Sequence, residues 1–296
     1  MPHTQPAILG TGLSGLVGSR LVHDFSDVYH FENLDLSDPS NPVDITQFDQ
    51  VLRAFSASDA KTVVHFAAFT DVTKAWEQRD DKNGLAYRVN VLGTENIVRA
   101  AKEAKKQLIH ISTAYVFDGE KPEMYIEEDS THPIEWYGQT KAWAEEKIAA
   151  ESFTDLAWAI LRIDQPFRSD SFARPDAVHR IINGLKTGKL YPQFTDHTFG
   201  PTFINDFSKV IDWVIRTQAT GIFHATAGEK WSDYDFAELI NQKLHLGGEV
   251  KKGNLDEYLK TLNRPYQRNT ALDCSKLQSV IDFPLTPIDV AVGTVE

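Results

Sequence analysis

The apolar run Ala7-Ile-Leu9 breaks into Gly10-Thr-Gly-Leu-Ser-Gly15, and a helical pattern from Ser19 to Phe25 follows at once. Few folds accept a strand, a glycine turn and a helix in that order. Glycines let the backbone turn tightly and let a phosphate approach main-chain N–H groups at a helix start. The expected cradle is Gly12, Leu13, Ser14, Gly15, Leu16 and Val17, with Gly18 permitting close packing of helix on sheet. A second extended stretch, Val28 to Leu34, ends at Asp35, 20 residues after Gly15. In a dinucleotide-binding βαβ unit a carboxylate at that place takes a ribose 2′-hydroxyl. Asp35 would repel a 2′-phosphate, which favours NAD(H) and leaves NADP(H) as the second option. Glu32 is a rival for the ribose role.

Strands and helices go on alternating. Phe48 to Phe55 is helical by spacing and Thr62 to Ala68 reads as a buried strand. Ala86 to Ala104 reads as one long helix with Asn90, Thr94, Ile97, Val98 and Ala101 on one side. Gln107 to Thr113 is a strand, Tyr137 to Glu151 a helix and Leu156 to Ile163 a strand. This pattern predicts an α/β fold, a Rossmann-type doubly wound parallel sheet whose strand C-termini line one edge. Beyond Pro166 the pattern loosens. Arg168 to Pro175 reads as loop and Asp176 to Thr187 as helix. Asn205 is placed to cap a helix with the stripe Phe207, Val210, Ile211, Val214 and Ile215. Gly221 to Thr226 is a strand, and Ser232 with Asp235 forms a capping box for Tyr234 to Leu244. The expected division is an NAD(P)-binding domain over 1–165, to which chain from about 195–226 returns, and a smaller, mainly substrate-binding C-terminal lobe over 166–296.

Composition narrows the partners. The 296 residues carry a formal charge of -12, from 30 basic and 42 acidic side chains. That balance argues against nucleic acid or an anionic membrane as the main partner, though not against a small anionic substrate. No apolar run approaches the ~18–20 residues of a membrane span. The opening Met-Pro-His-Thr-Gln-Pro has neither the basic nor the apolar region of a secretory signal, so a cytoplasmic location is expected. Cys274 is the only cysteine, which excludes an intramolecular disulfide and a cysteine-built metal site. The histidines show no ligand-like pairing, and no metal is expected.

Tyr137 and Lys141 lie four residues apart, on one face of a helix. An ammonium stabilises a phenolate and lowers the pKa of a tyrosine from about 10, which turns it into a proton donor near neutrality. Thr113 and Ser112 end the strand before that helix and offer a hydroxyl to orient a carbonyl. Alone, the pair also fits an amphipathic helix with a solvated lysine. Joined to the glycine turn and the strand-end hydroxyls, it points to hydride transfer with a nicotinamide cofactor.

In order along the chain, Thr11-Gly-x-x-Gly-x-x-Gly18, Val43-Asp-Ile45, His65-x-Ala-Ala68, Val89-Asn-Val-x-Gly-Thr94, Ser112-Thr113 and Tyr137-x-x-x-Lys141 resemble the motifs of the extended short-chain dehydrogenase/reductase family. The resemblance covers most of the length. It implies Thr113, Tyr137 and Lys141 as catalytic residues. It also implies Asp44 and Ile45 beside the adenine, Ala67 and Ala68 flanking the cofactor, a structural Asn90, and Pro166 and Phe167 near the nicotinamide. Ile111-Ser-Thr-Ala-Tyr-Val-Phe-Asp-Gly119 and Arg264-Pro-x-x-x-Asn-x-x-Leu272 are similar to the branch that reduces keto groups on nucleotide-activated deoxysugars. Thr70, Ala114, Tyr115 and Arg264 are then expected at the nucleotide-sugar substrate, with Arg264 either on the diphosphate or a surface charge. Ala114, Thr73 and Trp76 depart from that branch's usual Asp, Asp and Glu. Two alternatives stay open: an epimerase that keeps its NAD, and a nucleotide-sensing regulatory subunit that lost turnover. Members of the family often pair into homodimers through the two long helices, here around Asn90 and Lys141.

Overall fold

A computed structural model describes residues 5–38 and 42–296, apart from the side chain of Phe153. Met1–Thr4, part of the stretch read for a secretory signal, lie outside the described residues. The chain runs through β1 (Ala7–Thr11), α1 (Gly18–Phe25), β2 (His30–Leu34), α2 (Phe48–Ala57), β3 (Thr62–His65), α3 (Val72–Glu77), α4 (Leu85–Tyr87), α5 (Thr94–Glu103), β4 (Gln107–Thr113), α6 (Trp136–Ala149) and β5 (Trp158–Ile163). Shorter elements follow: β6 (Pro166–Phe167), α7 (Ala177–Thr187), β7 (Gln193–Phe194), β8 (Thr198–Phe199), β9 (Thr202–Phe203), α8 (Ile204–Thr217), β10 (Gly221–His224), β11 (Trp231–Ser232), α9 (Asp233–Lys243), β12 (Lys252–Gly253), α10 (Leu255–Leu259), α11 (Ser275–Gln278) and α12 (Ile288–Gly293).

Six strands form a parallel sheet in the order β2-β1-β3-β4-β5-β10. β1 lies between β2 and β3, with Leu9 opposite both Glu32 and Val63. Strands covered by helices on both faces read as unbroken apolar runs. Accordingly Leu9, Val63, Leu108 and Ile160 are buried against Phe55 of α2, Ile97 of α5 and Ile148 of α6. This is the Rossmann-type α/β sheet that the alternation predicts.

Some boundaries differ from the sequence reading for identifiable reasons. β3 ends at His65, because Ala67 N turns to the Thr11 hydroxyl (3.2 Å) and Phe69 N to the Asn90 amide oxygen (2.7 Å). The long helix is interrupted by a π-helical turn, Arg88–Gly93, that contains Asn90. Such a turn inserts a residue and re-aims its neighbours. Asn205 is not a cap: α8 begins at Ile204, and the Asn205 amide instead bonds Ser169 N (3.3 Å) and Oγ (2.9 Å). The apolar stripe of α8 is buried as read. Ser232 caps α9, accepting from Asp235 N at 3.0 Å.

Contacts divide the chain into two units. The first comprises Met1–Ser112, Glu135–Leu161 and Ser208–Ile222; the second comprises Thr113–Ile134, Arg162–Phe207 and Phe223–Glu296. Compared with the expected 1–165 boundary, Thr113–Ile134 groups with the second unit, and the returning stretch is Ser208–Ile222. The second unit has its own core, with Phe167, Val178, Phe199, Phe203, Phe236 and Ile288 buried together. Among the described residues, no helix is long and apolar enough to cross a membrane.

Candidate active site

In the first unit, the glycine turn is built for close approach. Gly12 has φ +68°, and a Cβ there would sit 3.0 Å from Ala67 N. A Cβ at Gly18 would meet Leu13 Cα at 2.7 Å. No side-chain hydrogen bond caps α1 and its first turn carries no acidic residue, so the positive end of its dipole faces the turn. The turn is braced from β2: Leu13 N donates to the Asn33 side-chain oxygen at 3.1 Å. Asp35 follows β2 directly, where its Oδ2 takes the Ser14 hydroxyl at 2.5 Å and its Oδ1 takes Ser37 N and Oγ at 2.9 and 2.8 Å. Burial alone would raise the Asp35 carboxyl, but the bonds from Ser14 and Ser37 outweigh it and hold it below the usual carboxylate range. Glu32 lies within β2, away from that clasp. Asp44 accepts from Thr46 N and Oγ1, Ile45 is buried, and Ala67 and Ala68 are half-buried beside Gly12 and the end of β3.

Buried polar side chains continue along the strands. His65 bonds Thr11 Oγ1 through Nδ1 (2.7 Å) and Thr94 Oγ1 through Nε2 (3.1 Å). Burial, then the nearby Lys141 charge, pushes His65 down to about 3, so it is neutral. Asn90 accepts from Phe69 N and donates to Phe69 O (3.1 Å) and Thr140 Oγ1 (2.9 Å), tying the loop after β3 to α6.

α6 carries the proposed proton donor. Its first turn is capped by Glu135, whose carboxylate accepts from Tyr137 N (2.7 Å) and Gly138 N (2.5 Å). Tyr137 is half-buried. Lys141 is only 2% exposed, which rules out the solvated-lysine reading. Its Nζ donates to His110 Nε2 (2.9 Å) and Ile111 O (2.8 Å). Burial pushes the ammonium down to about 8, against the pull of Glu145, which raises it. Glu145 itself accepts from Ser112 Oγ at 2.5 Å. Trp136 and Trp143 meet edge-to-face with centroids 5.5 Å apart and pack on the same helix, as packing residues should.

The second unit holds the remaining candidates. Thr113 is 7% exposed, and its hydroxyl accepts Tyr115 N at 3.3 Å. Thr70, in the first unit, is exposed; Tyr115 and Pro166 are half-buried. Ala114 and Phe167 are 0% exposed, Phe167 at the centre of the second core. Neither presents its side chain to solvent, a property that motif position does not encode. Arg264 is half-buried rather than a free surface charge: Nη1 donates to Pro265 O (3.1 Å) and the guanidinium lies 5.1 Å over Tyr266. Tyr266 is one wall of a cavity of about 620 Å³ also lined by Tyr191, Phe194, Lys252 and Tyr258. Phe194 and Tyr258 have centroids 5.3 Å apart. Cys274 is buried, and burial pushes its thiol up to about 12, as for a packed side chain. Among the described residues, no group of three or more His, Cys, Asp or Glu could hold a metal ion.

Sequence reasoning missed Asn33, His110, Glu135 and Glu145 as parts of this site. Glu135 had a local signal, a carboxylate just before a helix start; the other three are revealed only by neighbours distant in sequence.

With that geometry in place, the family is decided by the match of residues 6–295 to the RmlD substrate binding domain family. The chain belongs to this family. It is 29% identical to the dTDP-4-dehydrorhamnose reductase of Aggregatibacter actinomycetemcomitans, across 95% of each chain. It is 26% identical to methionine adenosyltransferase 2 subunit beta of Bos taurus, covering 96% of this chain and 85% of that one. The crystal structure of a dTDP-4-dehydrorhamnose reductase from Bacillus anthracis, solved with NADP, superposes with a TM-score of 0.86 over 98% of each chain at 23% identity, which shows a common fold.

Proposed function

We propose that this protein is an NAD(P)H-dependent oxidoreductase that reduces a keto group on a nucleotide-activated deoxysugar, as a dTDP-4-dehydrorhamnose reductase does. The observation that carries the reading is Lys141, a buried ammonium one helical turn from Tyr137, in the unit that holds the uncapped glycine turn. The turn fits a dinucleotide: a Cβ at Gly12 would press on the Ala67 backbone and one at Gly18 on that of Leu13, so only glycines allow the tight strand-turn-helix geometry that offers main-chain N–H groups to a pyrophosphate. When bound, the nicotinamide supplies hydride to the carbonyl carbon. Tyr137 gives its phenolic proton to the carbonyl oxygen, Lys141 stabilises the phenolate left behind, and the Thr113 hydroxyl orients the oxygen. The product is an alcohol, and solvent reprotonates Tyr137.

Asp35 favours NAD(H): hydrogen bonds hold it anionic at neutral pH, and it would repel a 2′-phosphate. NADP(H) is the second option. Asp44, Ile45, Ala67, Ala68 and Pro166 are the further cofactor contacts we assign. In the second unit, the aromatic-lined cavity would take the nucleotide base by stacking, with Arg264 toward the diphosphate. The helices around Asn90 and Lys141 are the proposed homodimer contact, to be checked by sedimentation equilibrium.

The direct test follows absorbance at 340 nm with NADH or NADPH and dTDP-4-dehydrorhamnose. Tyr137→Phe is expected to lower kcat by about 10²–10⁴ while cofactor affinity stays within about twofold. Full turnover by that variant would remove Tyr137 from the mechanism. The relation to methionine adenosyltransferase 2 subunit beta favours one second reading, a nucleotide-binding regulatory subunit. Cofactor binding without turnover of any keto-sugar, together with a stable complex with a separate enzyme, would establish it.

A further inference from the structure

We propose that His110 is a positioning residue for Lys141, fixing the buried ammonium with the Ile111 carbonyl so that its third N–H is left for Tyr137 and the cofactor ribose. The inference rests on the reductase reading for what Lys141 does, and on geometry alone for what His110 does to it.

The contact dictates the state of the ring. An ammonium has donors and no lone pair, so at 2.9 Å His110 Nε2 must be the acceptor and the imidazole proton must sit on Nδ1. That Nδ1 is buried and has no partner among the described residues. A buried N–H without a partner is destabilising. Strand packing alone would be better served by an aliphatic residue, as at the adjacent Leu108 and Ile109, both 0% exposed. The histidine therefore answers a need other than packing, and the atom it serves is Lys141 Nζ.

Its neighbour on the strand shows the same design. His110 and Ser112 share one face of β4, since side chains alternate. Lys141 and Glu145 share one face of α6. Two strand residues advance about 6.6 Å and four helix residues about 6 Å, so two polar rungs match: His110 to Lys141, and Ser112 to Glu145. The charges around Nζ come from each packed element. β3 contributes His65, neutral, its ring 5.1 Å from that of His110. α6 contributes Tyr137 one turn before and the Glu145 carboxylate one turn after. α5 contributes Thr94, and at the surface its Glu95 pairs with Lys147 of α6 at 2.9 Å. Burial, then Lys141 and His65, hold His110 well below the usual imidazole range, so it stays an acceptor at any working pH.

Removing the acceptor weakens the charged form of Lys141. The test titrates apo protein carrying [13Cε]lysine by NMR, with the Lys141 signal assigned by Lys141→Arg. His110→Phe, of similar bulk without an acceptor, is expected to lower the Lys141 midpoint by about one unit. His110→Gln, whose amide oxygen can accept, is expected to restore most of it. In turnover, the alkaline limb of kcat/KM should move with the midpoint. A Lys141 midpoint indifferent to His110→Phe overturns the proposal. Should that variant not fold, the 15N shifts of the wild-type imidazole decide. A protonated Nδ1 with a bare Nε2 supports the proposal; the reverse tautomer sinks it. Neither NMR measurement needs a substrate, so the expected shifts in a protein that reduces no keto-sugar would discard the reductase reading and leave the positioning of Lys141 intact.

Discussion

An ammonium in a dry interior is destabilising, and Lys141 holds one at 2% exposure. Its folded pKa of about 8 lies below the 10.5 of a free lysine. The unfolded chain therefore binds this proton more tightly than the folded one. The penalty is complete below pH 8 and is relieved as pH rises from about 8 toward 10.5. Lys141→Met is expected to abolish turnover yet raise the thermal midpoint at pH 7 by a few degrees, a gain that shrinks at pH 10. Melting curves of both proteins at the two pH values check it, and a constant difference would mean that folded Lys141 keeps its proton as tightly as a free lysine does. In the second unit, Tyr258→Ala removes a ring from the aromatic cavity proposed for the nucleotide base. Base stacking of about 1–3 kcal/mol makes the expected result a KM for the nucleotide sugar raised about tenfold, with kcat kept; an unchanged KM would place the base elsewhere. The Tyr137–Lys141 spacing was readable because it lies within one helix. That the lysine is buried was not readable, because its cover comes from β4, some thirty residues earlier in the chain. Likewise motif position located Ala114 and Phe167 in the sequence but could not tell that both are sealed in a core.

Elements announce themselves when their periodicity is set by burial. β4 and the apolar stripe of α8 were legible for that reason, and the Asn90, Thr94, Ile97, Val98 and Ala101 side is buried throughout. Where side chains replace backbone ladders, the pattern falls silent. The π-helical turn, the early end of β3 and the role of Asn205 all depend on a single amide or hydroxyl bonding a distant main chain. Asn90 makes three bonds, to Phe69 and Thr140. Asn90→Leu would leave Phe69 N and O and the Thr140 hydroxyl short of partners inside the first unit. The expected cost is about 2–4 kcal/mol, from two or more buried groups left unsatisfied, read as a lower urea midpoint. A midpoint unchanged within error would mean that water replaces the amide freely.

At the scale of the molecule, the first unit is assembled from three separate stretches. The last, Ser208–Ile222, is anchored to it by a buried bond from Tyr29 Oη to Asp212 (2.6 Å) and a part-buried one from Ser208 Oγ to Asp24 (2.7 Å). A chain ended at residue 165 is therefore expected not to fold as an autonomous cofactor domain. Supplying the protein whole should restore a cooperative unfolding transition and a thermal shift with NADH or NADPH. A well-folded, cofactor-binding 1–165 fragment would show that the returning stretch is dispensable. Alternation along the sequence reveals the sheet, but only three-dimensional contacts reveal which stretches share a unit. The chain passes between units at 112/113, 134/135, 161/162, 207/208 and 222/223. A gene recombined with a relative at any point within residues 113–222 would thus join mismatched halves of both units, and a point outside that span would still split one of them. Exchanged segments therefore disturb at least one core of this chain, and a breeder of new specificities would do better to redraw individual side chains than to shuffle segments.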